Sequence, residues 1–449
     1  MSKARVLIVV DNPQRDLPAS VLLAQKLAEF SIVYLTPSAQ APSEIFRLNP
    51  DLVLLQYLRP TNEALVRKMQ NVGIRFSILD TEGGSFMKIR NSNENTFTIS
   101  LIKNQKLRDL IQYYFVWGQD LARLIQAGQY YPKDAVLCLG TPRMDFYHES
   151  MKEYFNEDLP GLKPQEQIIL LNTSFAGNNP KFSTRENEIQ MLQRTFDYDL
   201  DFLNKFFDDL DTAMREFISL VHSTVPAFPD QTFVLRPHPF EDDSVYRREF
   251  SQYKNLLVEG RESVAPWIWR SRALLHFSCT TAMESTIAGR PAFALRKLVP
   301  LRPIEAIDQI TDFVDSPAEL IEKLRSVLNN QYQVPAQIAA AKEKTIVDVF
   351  YRVDGKAAQR IADVIAKDYG NGSRPRSWRQ FLYQKAYLVF YSSRTAIKWL
   401  FKGQVVPTGK RFSVAEGQLI GDRLYRVHPT RLQMSQDCLS VSVRVEKWK

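Results

Sequence analysis

An arginine and a histidine interleaved with prolines, Arg236-Pro237-His238-Pro239, close the apolar run "TFVL" in a chain of 449 residues. The two prolines forbid ladder donors and helix alike and push their predecessors into extended backbone, so both side chains are predicted on a stiff rim. A guanidinium offers a fork to phosphate oxygens, and an imidazole can donate to phosphate or deliver a proton near neutral pH. An anion site is one reading of this stretch. A proline-rich strand exit with surface Arg and His is the other.

Three further stretches carry comparable side chains. In "HFSCTTAMESTIAGRP", Ser278, Thr280 and Thr281 fall where a strand gives way to an apolar-periodic helix, so hydroxyls and free backbone N–H groups would converge as a phosphate cradle. The same residues, Thr281-x-x-Glu284, also spell a capping box that needs no ligand. In "ILDTEGGSF", Asp80 and Glu82 follow a strand, Gly83-Gly84 permits close backbone approach, and a carboxylate there could act as general base on an acceptor hydroxyl. Acidic turns before Gly-Gly also occur without function. Asn172, Thr173 and Ser174 in "NTSFAGNN" follow another strand, as donor-site lining or as a polar turn.

Weaker candidates are set aside on pattern. Asp199 and Asp201 form an Asp-x-Asp, but the Phe and Leu residues around them recur at helical spacing, which predicts a solvated helix face and no metal site. His148 and His222 have no evident partner, and His276 is predicted buried in its strand.

The elements that must position these residues alternate strand and helix. "RVLIVV", "SIVYL", "DLVLLQYL", "RFSILD", "FVWG" and "AVLCLG" read as strands with helices between them, one of those through "NQKLRDLIQYY". "QIILLN", "TFVLRPHP", "NLLVEG", "ALLHFSCTT" and "PAFAL" supply a second set. The sequence therefore predicts an α/β protein of two Rossmann-like domains with parallel, doubly wound sheets, residues 1–155 and 156–370, facing each other across a cleft. One helix through "PAQIAAAKEKTIVDVFYRVDGKAAQRIADVIAKDYG" is expected to end the second domain, and residues 371–449 to form an appended basic, amphipathic extension.

Bulk properties narrow the class. Cys138, Cys279 and Cys438 are too few and scattered for a disulfide framework or zinc knuckle and suggest a reducing compartment. The first apolar run, "VLIVV", meets Asp11, Pro13 and Arg15 at once, which is no cleavable signal, and no stretch approaches a membrane-spanning length. The expected location is cytoplasmic, with any membrane contact peripheral.

The charge is localised. Net charge is +8, yet Arg374, Arg376, Arg379, Lys385, Arg394, Lys398, Lys402, Lys410 and Arg411 fall between Asn371 and Ala415 with no acidic residue, so the rest is close to neutral. Trp378, Leu382, Ala386, Val389, Ile397 and Leu400 approximate one helical stripe within that segment, so residues 374–402 are expected to meet an anionic membrane on the inner face of the cytoplasmic membrane. Packing of the stripe on the protein's own body is the second reading. Nucleic acid ranks last, because no basic-aromatic module accompanies it. The alternation at the end of "LSVSVRVEKWK" is strand-like and suggests no role.

An acidic-Gly stretch, then His-Pro, then a Ser/Thr cluster is an order that resembles the bacterial GT-B glycosyltransferases with D/E-D/E-G, HP and S-S/T motifs. These are the CMP-sugar-dependent sialyl-, polysialyl- and Kdo-transferases of capsule and lipopolysaccharide assembly. "VDNPQRD", "LGTPRMD" and "VDGKAAQRIAD" are likewise similar to the surface carbohydrate biosynthesis proteins. The resemblance spans roughly residues 5 to 368 and departs at one point, where Thr81 stands in place of the first acid and Asp80 lies one place earlier.

The resemblance implies a surface-polysaccharide glycosyltransferase, inverting and metal-independent, that needs no cofactor beyond a nucleotide-sugar donor, most simply a CMP-sugar, and acts on a glycan or lipid-linked acceptor. His238 would bind the donor phosphate with Ser278, Thr280 and Thr281, and Glu82 or Asp80 would be the base. Arg236 and Glu284 are added as phosphate and ribose contacts. The rivals are a CDP-polyol phosphotransferase, a UDP-sugar GT-B enzyme, and an inactive GT-B scaffold in an assembly complex.

Overall fold

The computed structural model describes residues 2–58, 62–81, 83, 107–156, 159–196, 199–260, 263–301, 304–373, 375–402, 411–437 and 440–448. The chain forms two compact units, one of Met1–Phe86, Thr98–Asn156 and Ile346–Lys449, the other of Met87–Phe97 and Glu157–Thr345.

In the first unit β1 (Ala4–Val10), β2 (Ser31–Pro37), β3 (Leu52–Leu55), β4 (Arg75–Leu79), β5 (Tyr114–Val116) and β6 (Val136–Cys138) lie parallel in the order β2-β1-β3-β4-β5-β6. Alternation along β1 feeds both faces: Val6, Ile8 and Val10 enter one core cluster, Leu7 and Val9 the other. Such continuous apolar runs require helices on both sides. The helices Pro13–Leu27 and Ala357–Tyr369 cover one face, and Ala41–Leu48 and Glu63–Val72 the other.

The second unit has β7 (Ile168–Asn172), β8 (Thr232–Arg236), β9 (Leu256–Val258), β10 (Ser271–His276), β11 (Ala292–Leu295) and β12 (Asp312–Val314), all parallel, in the order β12-β11-β10-β7-β8-β9. The chain builds outward from β7 to β9, then restarts on the other side of β7 with β10. That reversal is a topological switch point, where α/β sheets open a crevice beyond the strand ends.

Four expectations are corrected. The long helix after Pro335 is broken: Ala336–Thr345 is followed by a π-helical turn, Ile346–Phe350, left-handed backbone at Tyr351 and Gly355, and a new helix Ala357–Tyr369. This second helix belongs to the first unit, where both carboxylate oxygens of buried Asp145 accept the N–H groups of Ala357 and Ala358 at 2.9 Å. The second unit thus ends at Thr345, not at residue 370, and the chain rejoins the first unit at Ile346. Among the described residues of "NQKLRDLIQYY", only a 3₁₀ turn, Arg108–Leu110, is helical, and Tyr114 already begins β5.

Residues after 370 are not an appendage. The strands β13 (Leu432–Ser435) and β14 (Val443–Lys447) pair antiparallel, and β14 joins β2 antiparallel to extend the first sheet to eight strands. A helix Val414–Tyr425, opened by the reciprocal Ser413–Glu416 capping box, packs on them.

Candidate functional site

Register brings three of the four stretches abreast. Asn172 at the end of β7 pairs with Arg236 on β8 and with His276 on β10, so the loops beginning at Thr173, Pro237 and Phe277 leave the sheet side by side at the switch point. Adjacent parallel strands lie about 4.8 Å apart, so the three loops start within about 10 Å of one another.

One carboxylate fixes two of these loops. Glu241, fully buried, accepts the N–H of His238 at 3.2 Å and of Phe175 at 2.7 Å, the Thr173 hydroxyl at 2.8 Å and the Tyr246 phenol at 2.6 Å. Burial pushes its pKa up, opposed by these four bonds, which favour the ionised form. Asn179 and Lys181 close the clasp through backbone bonds with Asp242 and Phe240. Phe240 N–H donates to His238 Nδ1 at 3.3 Å, which leaves the proton of a neutral ring on Nε2, the nitrogen away from that turn.

The third loop is strained. Ser278 has φ of 42°, left-handed backbone that a residue with a Cβ seldom adopts. The expected capping box is not formed at the helix Thr281–Ile287. Thr280 makes no side-chain cap, and the Thr281 hydroxyl instead accepts from Asn172 Nδ2 at 3.1 Å, tying β7 to that helix. His276 is buried as expected, its pKa lowered to about 3 by burial, bonded to Thr311 Oγ1 at 3.1 Å and accepting Cys279 N–H at 3.4 Å.

The sequence-derived candidates therefore divide by burial. Ser174, His238 and Ser278 are half-buried and Thr280 is exposed, so these four can meet a ligand. Asn172, Thr173, Thr281 and Glu284 are buried, the first three in bonds that hold the loops. Arg236 departs from expectation. It is buried rather than on a rim, lies over the Trp267 ring at 5.2 Å, and donates to the Glu259 carbonyl at 3.2 Å.

Glu241 was not among the candidates, because in "FEDD" it looks like one more acid of a solvated turn. The usable signal is an acid three residues after His238 with an aromatic, Tyr246, one helical turn or so beyond. Asp199 caps the helix Leu200–Thr224, accepting Phe202 N–H at 3.0 Å, which accounts for half of the Asp-x-Asp.

In the first unit the acidic stretch begins at the carboxyl end of β4. Asp80 is buried; its carboxylate accepts the Tyr114 phenol at 3.4 Å and its carbonyl accepts Trp117 Nε1 at 2.6 Å. Burial, then the neighbouring Asp80, raises the pKa of Tyr114 well above its ordinary value. Gly83 meets the expected demand for space, since a Cβ there would lie 2.5 Å from Trp117 Cγ. Glu82 lies outside the described residues.

No family model matches the chain, and no curated protein matches it. Solved structures do. A variant of the wall teichoic acid polymerase TagF aligns with TM-score 0.51 and 15% identity over 82% of this chain and 89% of that one. The same polymerase with CDPG gives 0.50 and 15% over 82% and 89%. A UDP-N-acetylglucosamine 2-epimerase gives 0.49 and 14% over 84% and 100%. The TagF likeness, with the two strand orders above, shows the fold: two Rossmann-like α/β units of the GT-B kind.

Proposed function

We propose that the chain is a surface-polysaccharide glycosyltransferase that takes its sugar from a CMP-activated donor held in the second unit. The observation that carries this reading is the row Arg236–Asn172–His276, which delivers the His238, Ser174 and Ser278–Thr280 loops to one switch point, with two of the loops locked by Glu241.

The chemistry assigned to these residues is a displacement. An acceptor hydroxyl attacks the anomeric carbon, its proton passes to a carboxylate of the Asp80–Glu82 stretch, and the bond from that carbon to the phosphate oxygen breaks. The phosphate leaves with the electron pair. His238 Nε2–H and the hydroxyls of Ser278 and Thr280 stabilise that oxygen and its neighbours, stronger donors to the leaving phosphate than to the bound donor. Asp80 is turned against Tyr114, which favours Glu82 as base. No metal is assigned a part in this step. The acceptor is a glycan or lipid-linked chain.

One rival has its own support. The TagF structure with CDPG favours a CDP-polyol donor, and both donors present a cytidine nucleotide to the same loops. Thermal-shift binding of CMP, CDP, UDP, GDP and ADP, with His238→Ala alongside, is the test. Selective stabilisation by cytidine nucleotides, lost in the variant, is the expected result, and phosphorus in the product then separates polyol phosphate from sugar transfer. Stabilisation by UDP alone discards the donor, and indifference to all five favours a scaffold.

A further inference from the structure

The helix Trp378–Lys402 has two apolar faces, and among the described residues one of them is packed on the protein. Tyr387 and Tyr391 set their rings 5.2 and 5.4 Å from Phe46, Gln384 donates to the Phe46 carbonyl, and Lys68 lies over the Phe390 and Tyr391 rings. These contacts clamp the helix onto Ala41–Leu48 and Glu63–Val72. At 3.6 residues per turn, Trp378, Leu382, Val389 and Leu400 project roughly opposite to that face, with Ile397 at its margin. Between 54% and 72% of each of these side chains is exposed. Exposed Phe381 and Tyr383 lie between the two faces, so aromatic side chains are not confined to either.

We infer that this outer stripe inserts into the headgroup region of an anionic bilayer, with the helix lying in the plane of the membrane as a preformed part of the first unit. Charge selects this occupant. Exposed Arg379 and Lys385 flank the stripe on its two sides, with Arg394 further round, and no acidic residue occurs from Asn371 to Ala415. A second copy docking through the same face would bring those cations together. A nucleic acid would need cations at the centre of the face, where Leu382 and Val389 stand. Lipid headgroups meet both demands at once, because cations flanking an apolar stripe match phosphates above acyl chains. No helix among the described residues is long and apolar enough to cross a membrane, so this contact is interfacial.

Flotation of the full chain with vesicles of phosphatidylcholine alone, or with added phosphatidylglycerol, tests the assignment. Three cations near the surface should raise partition into the anionic vesicles by about a hundredfold, and salt should weaken it. The pair Leu382→Asp and Val389→Asp should abolish flotation at unchanged melting temperature, because both side chains are exposed, and Arg379→Glu with Arg394→Glu should erase the preference for anionic lipid. Wild-type chain that stays with the protein fraction on anionic vesicles, or an aspartate pair that still floats, overturns the inference. So does a concentration-dependent dimer in light scattering that the aspartate pair dissolves.

Discussion

Glu241 accepts the backbone N–H of His238 at 3.2 Å, while its second oxygen accepts the hydroxyl of Thr173 at 2.8 Å. The imidazole proposed to meet phosphate is therefore positioned by a carboxylate that itself lies beneath the surface. Four donors point at one group, so replacing it with an amide sets an NH₂ against at least one of them. Glu241→Gln is expected to cost about 2–4 kcal/mol in urea unfolding, since buried donors lose an ionised acceptor. It should also weaken nucleotide binding. A variant as stable as wild type would show that the clasp is incidental.

His238 itself is expected to behave in the opposite way. Its ring is half-buried and its bond from the Phe240 N–H is a long one at 3.3 Å, so His238→Ala should change stability by no more than about 1 kcal/mol. Loss of one donor to the departing phosphate should lower kcat by about 10²–10³. Normal turnover by a folded His238→Ala protein would remove the residue from the proposed mechanism.

Gly83 ties the acidic stretch to its support. A Cβ would sit 2.5 to 2.8 Å from three atoms of the Trp117 indole, whose nitrogen holds the Asp80 carbonyl. Gly83→Ala is expected to destabilise by about 1–3 kcal/mol through overpacking, and Trp117→Leu should relieve part of that penalty in the double variant. Strictly additive effects would mean that the close approach is not felt.

How much of this was legible beforehand follows from which forces act locally. The parallel sheets could be read from runs such as "RVLIVV" and "QIILLN", because burial of both sheet faces writes itself into consecutive residues. The abreast placement of Asn172, Arg236 and His276 could not, since register between strands more than sixty residues apart leaves no local mark. Arg236 was legible as cationic but not as inward-facing, a choice made by Trp267 and the Glu259 carbonyl. Thr281-x-x-Glu284 carried the local spelling of a cap, yet a tertiary bond from Asn172 took the Thr281 hydroxyl. The tail misled for a related reason: its composition differs from the body, but β14 needs only alternation to join the open edge of β2.

Asp145 gives the pH dependence. Its carboxylate caps the helix Ala357–Tyr369, and burial raises its pKa from 3.8 to about 6 in spite of two backbone bonds that favour the charge. Between those values the folded chain holds a proton that the unfolded chain has released. Its contribution is therefore complete below about pH 3.8 and is lost as pH rises through about 6. The size follows from about two pKa units at 1.36 kcal/mol each, or about 3 kcal/mol at most. Other groups titrate in the same range, among them His276, whose lowered pKa acts with the opposite sign. Comparison with Asp145→Asn isolates the effect, because every other group is common to both proteins. The stability difference, wild type minus variant, should fall as pH is raised from 4 to 7 in parallel urea titrations. A difference that stays level, or that grows with pH, would mean that Asp145 remains ionised in the folded chain and that the helix-capping bonds outweigh its burial.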